Sequence, residues 1–286
     1  MPSVQVIALD VGGTHSRAAL FDAGRIVWRS SAPTPGRHGP QAMLSTMAEL
    51  LRPVQDVAAP VGVAIAGRVV DGGVTAHNET LLAGWSGYPL AAELARQTKR
   101  PVRVFNDARA AAWGEYRFGA GRGCDEFLFV TVSSGIGAGL VLNRRLHLAR
   151  NGLDAELGET RLVDGRTLEQ HASGTALGEL AARHGYADGK ALCDAADAGD
   201  AWAESQLRDG VRELAGKLAD LTVMLGIERT AIGGGVGLRP GYLERLRHAM
   251  ADLPALYCHE LMRAELGADA GLYGAAALAT APLRSG

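Results

Sequence analysis

Asp10 closes an apolar run, QVIALD (5–10), and Val-Gly-Gly-Thr (11–14) follows before the chain turns apolar again. Gly12 and Gly13 remove side chains where the backbone must turn sharply and a ligand must come close. With Thr14 they offer N–H groups and a hydroxyl, the donors that phosphate oxygens need. A carboxylate repels phosphate, so Asp10 makes sense there with Mg²⁺ between the two, often through water. The pattern differs from the G-x-x-x-x-G-K-[ST] phosphate loop, which opens a helix. An ordinary hairpin turn draws on the same residue types and is the competing reading.

The same device recurs later. FLFVTV (127–132) runs into Ser133-Ser134-Gly135-Ile136-Gly137 and then another apolar stretch, repeating strand, small-residue turn and strand. A third cluster, Gly233-Gly234-Gly235, follows the strand-like TAI (230–232) and precedes VGLRPGYLERLRHAM (236–250), which reads as a helix. Together the three form a set far more specific than one glycine motif.

The elements around these turns alternate in type. A hairpin and a third strand occupy the first 33 residues, and QAMLSTMAELLRPV (41–54) has helical spacing. PVGVAIAGRVV (60–70) reads as a buried strand, PLAAELARQTKR (89–100) as an amphipathic helix, and PVRVFNDA (101–108) as a strand with a polar end. A helix over 107–119, a second strand set from Glu126, Ala-rich helices over 175–225 and a last helix over 270–282 complete the reading.

At 286 residues the chain is long enough for two lobes, each with its own core. A hydrophobic fraction of 47% and a charged fraction of 21% fit a soluble globular protein. The net charge of −2 leaves no basic footprint for nucleic acid. Apolar runs are strand-sized, too short for a bilayer, and the first strand starts by Val4, which leaves no room for a signal peptide. Cys124, Cys193 and Cys258 are widely spaced and odd in number, which fits a reducing, cytoplasmic setting without disulfides.

Four segments, NDARAAAWGEY (106–116), VTVSSGIGAGLVL (130–142), GGGVGLRPGYL (233–243) and DAGLYGAAALA (269–279), carry a wider likeness. With the Asp10 turn they make the chain resemble the sugar-kinase branch of the actin-like ATPase superfamily, and more narrowly the ROK family (repressors, open reading frames and kinases). The likeness covers nearly the whole chain and is strongest to members acting on N-acetylmannosamine. It implies an α/β, ribonuclease H-like fold of two lobes with a cleft between them: residues 1–108 with the returning helix 270–286, and residues 109–269. It implies transfer of a phosphoryl group from ATP, with Mg²⁺, to the 6-hydroxyl of N-acetylmannosamine, with lobe closure excluding water. It also implies a homodimer through the second lobe, with a small-molecule sugar as partner and neither nucleic acid nor membrane.

The resemblance gives roles to individual residues. Asp10, Gly12, Gly13 and Thr14, with Ser133, Ser134, Gly135 and Gly137, face the ATP phosphates, and Gly233, Gly234 and Gly235 lie against the nucleoside. Asp107 is the general base for the acceptor hydroxyl; on residue type alone it is equally an N-cap of the helix it opens. Asn106 donates to and accepts from neighbouring hydroxyls. Asn78, in HNETLLAGW (77–85), binds sugar hydroxyls or simply forms a turn. Gly67 lets the sugar approach. Glu156, Glu159 and Glu169 belong to the sugar site, since carboxylates accept strongly from vicinal hydroxyls.

One region departs from the family. Where its members carry Glu-x-Gly-His and a cysteine-rich zinc loop, this chain has Glu159 in place of the histidine. It also has no cysteine between 124 and 193, and only TRLVDGRT (160–167) for the loop. The four N or S ligands of a structural zinc are missing, so no zinc is expected. Glucokinase or another N-acetylhexosamine kinase is the same-class alternative. A sugar-sensing regulator or a catalytically dead sensor is the other-class alternative, weighed against by retention of Asp10, Asn106 and Asp107 and by a slightly acidic chain that starts on a strand.

Overall fold

A computed structural model describes residues 5–76 and 84–281. They fall into two compact units, one built from the chain up to Arg117, Leu148–Asp154 and the chain from Ala268, the other from Phe118–His147 and Ala155–Gly267.

In the first unit, β1 (Val6–Val11) is buried at every position and pairs antiparallel with β2 (His15–Asp22), which pairs with β3 (Arg25–Pro33). Exposure alternates along β3, as befits a strand with one covered face. After helix α1 (Gly39–Leu51) comes β4 (Val61–Ile65), a continuous apolar run that lies beside β1 in parallel, the arrangement that buries both faces of a strand. A small hairpin of β5 (Arg68–Val70) and β6 (Gly73–Thr75) leads to helix α2 (Leu90–Thr98), then β7 (Val102–Asn106), parallel to β4, and helix α3 (Asp107–Phe118). The sheet order is β3-β2-β1-β4-β7.

The second unit repeats the plan. Antiparallel β8 (Phe127–Val132), β9 (Ile136–Leu142) and the short β10 (Arg145–Leu146) are followed by helices α4 (Leu168–Ala172), α5 (Gly174–Arg183), α6 (Gly189–Asp197) and α7 (Ala201–Leu225). Then β11 (Arg229–Gly233), helix α8 (Tyr242–Ala251) and β12 (Glu260–Arg263) complete a sheet of order β10-β9-β8-β11-β12, with β11 parallel to both neighbours. Helix α8 starts at Tyr242, not directly after the glycine cluster as expected. Pro240 and Gly241, at φ +76°, hold residues 234–241 in turns.

The last helix, α9 (Ala270–Thr280), returns to the first unit and packs on β1 and β4. It fits because three glycines let backbones touch. A Cβ on Gly62 of β4 would strike the Ala275 carbonyl, one on Gly114 of α3 the Ala270 carbonyl, and one on Gly274 of α9 the Ala110 carbonyl. This crossing keeps α3 with the first unit, so the contact boundary falls after Arg117 rather than at residue 108. Gly274→Ala tests it. An alanine ordinarily gains about 1 kcal/mol over glycine inside a helix. Here it meets fixed backbone, and overpacking of that kind costs about 1–3 kcal/mol. A urea melt is expected to show a lower midpoint with an unchanged slope.

Candidate active site

Parallel pairing gathers the candidate residues of the first unit. Val11 is in register with Ile65, and Ile65 with Asn106, so β1, β4 and β7 end level. Asp10, Gly67, Asn106 and Asp107 therefore gather at the carboxyl ends of three adjacent parallel strands, where open α/β sheets bind ligands.

Asp10 is 8% exposed, and its carboxyl is pushed up to about 6, mostly by burial and in part by the charges of Asp107 and Asp269; Arg17 acts against the rise. Arg17 stands opposite Asp10 in the β1–β2 register, and its Nη2 donates to Asp10 Oδ2. Arg29 grips Asp269 with two hydrogen bonds of 2.7 Å, which, with the nearby charge of Arg17, hold Asp269 below the usual carboxylate range. Gly271, in the first turn of α9, lies flat on Asp10: a Cβ there would come within 3.0 Å of the carboxylate carbon. Beside Asp10 the turn is open. Gly12 N–H donates to the His15 carbonyl at 3.1 Å, while Gly13, Thr14 and His15 are exposed. A Cβ on Gly13 would meet nothing within 4 Å, so no protein neighbour accounts for its missing side chain.

Asp107 is the first residue of α3 and half-buried, and its Oδ1 accepts from the Ala108 N–H at 2.8 Å. The helix cap is its neighbour: Asn106 Oδ1 accepts from the Arg109 N–H at 3.2 Å, and Asn106 Nδ2 donates to the Gly67 carbonyl at 3.1 Å. Capping thus falls to Asn106, whose side chain is engaged with the protein at both ends. Gly67 also has an internal reason to be glycine, since its φ is +109° and a Cβ would lie 2.7 Å from the Thr75 carbonyl. Asn78 lies outside the described residues.

The second unit follows the same logic at the ends of β8 and β11, where Thr131 is in register with Gly233. Ser133 N–H donates to the Gly135 carbonyl at 2.8 Å, and the turn docks on helix α5, whose Gly174 and Thr175 amides donate to the Ser133 and Ser134 carbonyls at 2.7 and 3.1 Å. Ser173 caps that helix through the Ala176 N–H. Glu169 Oε2 accepts from the Ile136 N–H at 2.7 Å and fills the space a Cβ on Gly135 would need. One oxygen of this predicted sugar ligand therefore already holds the turn. Gly137 lies in the β9 ladder opposite Thr131.

Glu156 is half-buried and precedes a single helical turn, Leu157–Glu159, whose last residue, Glu159, is exposed. Gly158 between them presses on the Ile136 carbonyl. Residues 160–167 close a tight hairpin, with Leu162 N–H on the Arg166 carbonyl at 2.8 Å and Gly165 at φ +86°. The Thr167–Gln170 capping box then starts the helix that carries Glu169. In the glycine cluster, Gly233 is buried against the Phe129 ring, and Gly234, at φ +83°, lies close to Thr131 and Val132; only Gly235 is exposed with open space at its Cα.

Sequence reasoning missed Arg17, Asp269 and Gly271. Arg17 had a local signal, because a turn over 12–15 places residue 17 opposite residue 10. The other two join the site only through the return of α9.

The donor set suits Mg²⁺. It is a buried carboxylate whose ionisation is opposed by burial and by two neighbouring acidic groups, next to an open turn for phosphates. Mg²⁺ keeps several waters and needs only one or two carboxylates besides its phosphates. Without the cation the ionised Asp10 is a burden. Its folded pKa lies above the unfolded value, so it subtracts stability as pH rises from about 4 through 6. Asp10→Asn is expected to abolish turnover yet stabilise ligand-free protein at pH 8 by about 2–3 kcal/mol, read as a higher melting temperature. The gain should shrink as pH falls through 6 and vanish below the unfolded value of 3.8, where the native side chain is protonated in both states.

Comparison with known proteins agrees with this geometry. The model of the ROK family matches residues 6–281. The bifunctional enzyme NanE/NanK of Brucella melitensis is 40% identical over 97% of the chain, but the chain spans 54% of that relative, about half its length. The N-acetylmannosamine kinase of Escherichia fergusonii is 37% identical over 96% of this chain and 97% of its own. Among solved structures, a ROK family glucokinase from Streptomyces griseus, in complex with glucose and AMPPNP, superposes with a TM-score of 0.81 at 30% identity, covering 96% of this chain and 98% of that one. With the duplicated sheet order and a family match over almost its whole length, the chain belongs to the ROK family.

Proposed function

We propose that the chain is an ATP-dependent kinase that phosphorylates N-acetylmannosamine on its 6-hydroxyl. The observation that carries the reading is Asp107, at the level carboxyl ends of β4 and β7 and close enough to Asp10 for its charge to be felt there. End-to-end identity to an N-acetylmannosamine kinase supplies the sugar.

Asp107 accepts the proton of the 6-hydroxyl while that oxygen forms its bond to the γ-phosphorus and the bond to the β-phosphate oxygen breaks, giving sugar phosphate and ADP. Asn106, fixed by Gly67 and by its capping bond, holds the start of α3 and so the direction of that carboxylate. The Gly12–Thr14 turn offers amides and a hydroxyl to phosphate. In the second unit's turn the Ser133 and Ile136 amides are used internally, so its phosphate donors are Ser134, Gly135 and the two serine hydroxyls. Asp10, through water, would hold Mg²⁺, which when bound neutralises phosphoryl charge. Glu156, Glu159 and Glu169 are the sugar carboxylates, and Gly235 is the member of its cluster open to the nucleoside. A cytoplasmic, Mg²⁺-dependent homodimer without zinc completes the reading. Its support is the family resemblance and, for zinc, the missing cysteines.

Glucokinase is the second reading, favoured by the 30% identity to the Streptomyces enzyme and by Glu159. A coupled ADP-release assay against N-acetylmannosamine, N-acetylglucosamine, mannose and glucose separates them. A site built around the acetamide should favour N-acetylmannosamine over glucose by more than about a hundredfold in kcat/KM. Equal or faster use of glucose hands the assignment to the second reading. Asp107→Asn is expected to cut kcat at least about a hundredfold with sugar affinity largely kept, and a variant with near-native turnover would remove Asp107 from the mechanism.

A further inference from the structure

Among the described ion pairs, Arg109–Asp154 is the most deeply buried, with side chains 5% and 3% exposed, and the chemistry above does not use it. Arg109 lies two residues after Asp107, in the first turn of α3. Its Nε donates to Asp154 Oδ2, and its Nη2 donates to the Asp154 carbonyl and, at 3.3 Å, to the Gly152 carbonyl. The guanidinium thus grips one strap, residues 148–154, at three points.

The strap is tied a second time. Arg68 Nη1 donates to the Asn151 carbonyl at 3.2 Å, and Gly152, at φ +69°, lies so close to β5 that a Cβ would come within 2.8 Å of the Val69 carbonyl. β5 begins directly after Gly67, whose carbonyl takes the Asn106 amide at 3.1 Å. A closed circuit results: first turn of α3, strap, β5, Gly67, Asn106, and back to α3. Asn106 and Asp107 sit inside it.

A buried ion pair is a poor device for stability, because desolvation offsets most of its attraction and apolar residues of similar size often do as well. What a planar, many-pronged guanidinium adds is direction. We propose that Arg109 and Asp154 are positioning residues: their ion pair straps residues 148–154 onto the first turn of α3 and so fixes where Asp107 meets the acceptor hydroxyl. The strap also feeds Glu156, two residues on in the chain. The inference rests on the kinase reading for its consequence, though the circuit itself does not. Displacing a base by about 1 Å can cost on the order of a hundredfold in rate.

The test compares the full-length parent with the double variant Arg109→Met/Asp154→Leu, which removes both charges and strands neither, and with Arg109→Lys, which keeps the charge but not the fork. Each is followed by thermal melting, by hydrogen exchange over 107–112 and 148–154, and by kcat and KM for sugar and for ATP. For the double variant the expected result is a melting temperature near the parent's and faster exchange in both segments. With these should come a kcat lowered at least about tenfold and a KM for ATP within about twofold. Arg109→Lys should fall between. A folded double variant with parental exchange overturns the strap, and loosened exchange with parental kcat overturns the positioning role. Should the double variant fail to fold, Arg109→Lys decides by the same two criteria. If the parent phosphorylates no sugar, the kinase reading falls, and exchange alone then decides the strap: joint loosening upholds it and unchanged protection refutes it.

Discussion

The register of parallel strands is the constraint on which the candidate residues of each unit depend. Val11, Ile65 and Asn106 end level, so a carboxylate from β1, a backbone carbonyl after β4 and the Asn-Asp pair after β7 come together with no long side chain needed to reach. A shift of one residue in β4 would put a side chain where Gly62 admits the Ala275 carbonyl and would move the strand end by about 3.3 Å. The packing of α9 on β4 therefore also fixes the position of the strand end. The second unit uses the same device, with Thr131 level with Gly233. Duplication of a sheet order explains how one chain comes to have two small-residue turns at equivalent places.

Glycines mark how these turns are used, but only some point to a ligand. Gly67, Gly234 and Gly152 are at positive φ and against neighbouring backbone, and Gly233 is against a ring; the folded protein requires them whatever it binds. Gly13 and Gly235 differ, since a side chain at either would meet no protein atom within 4 Å. Glycine at an open place next to a strand end is what close approach of phosphate or nucleoside calls for. The glycines of α3, β4 and α9 have a third use: they let α9 close on the first unit and set Gly271 on the Asp10 carboxylate.

This division explains what could be read from the sequence. Strand–turn–strand units, the polar end of PVRVFND and the final helix were legible because each rests on local alternation and turn chemistry. Asp10 and Asp107 stood out because each follows an apolar strand and borders a turn or a helix start, the edge of a sheet where ligands bind. Less legible was anything that depends on a distant partner. Asp269 and Gly271 reach Asp10 only through a helix that closes the chain, and Arg109 meets Asp154 across 45 residues. The helix expected after Gly235 failed for a local reason: the pattern LERLRHAM is helical, but Pro-Gly at 240–241 delays its start. Asn106 was read as a sugar ligand because amides bind hydroxyls. Its bonds to the Arg109 N–H and the Gly67 carbonyl engage both ends of that amide with the protein.

Two acidic groups share the first unit's strand ends, and their surroundings separate their roles. Asp10 is sealed under Gly271 and paired with Arg17, and burial pushes its carboxyl up to about 6. Such a group is poorly placed to collect a proton from a bulky sugar but well placed to gain from a cation, which relieves the charge that burial opposes. Asp107 is less buried and stands at the start of a helix, where its Oδ1 accepts from the Ala108 N–H. Its charge is among those that oppose ionisation of Asp10, so it adds to what a cation at Asp10 would relieve. On the proposed reading the two divide the work: a divalent cation held by Asp10 would offset the repulsion between them, and Asp107 would be the carboxylate that takes the proton.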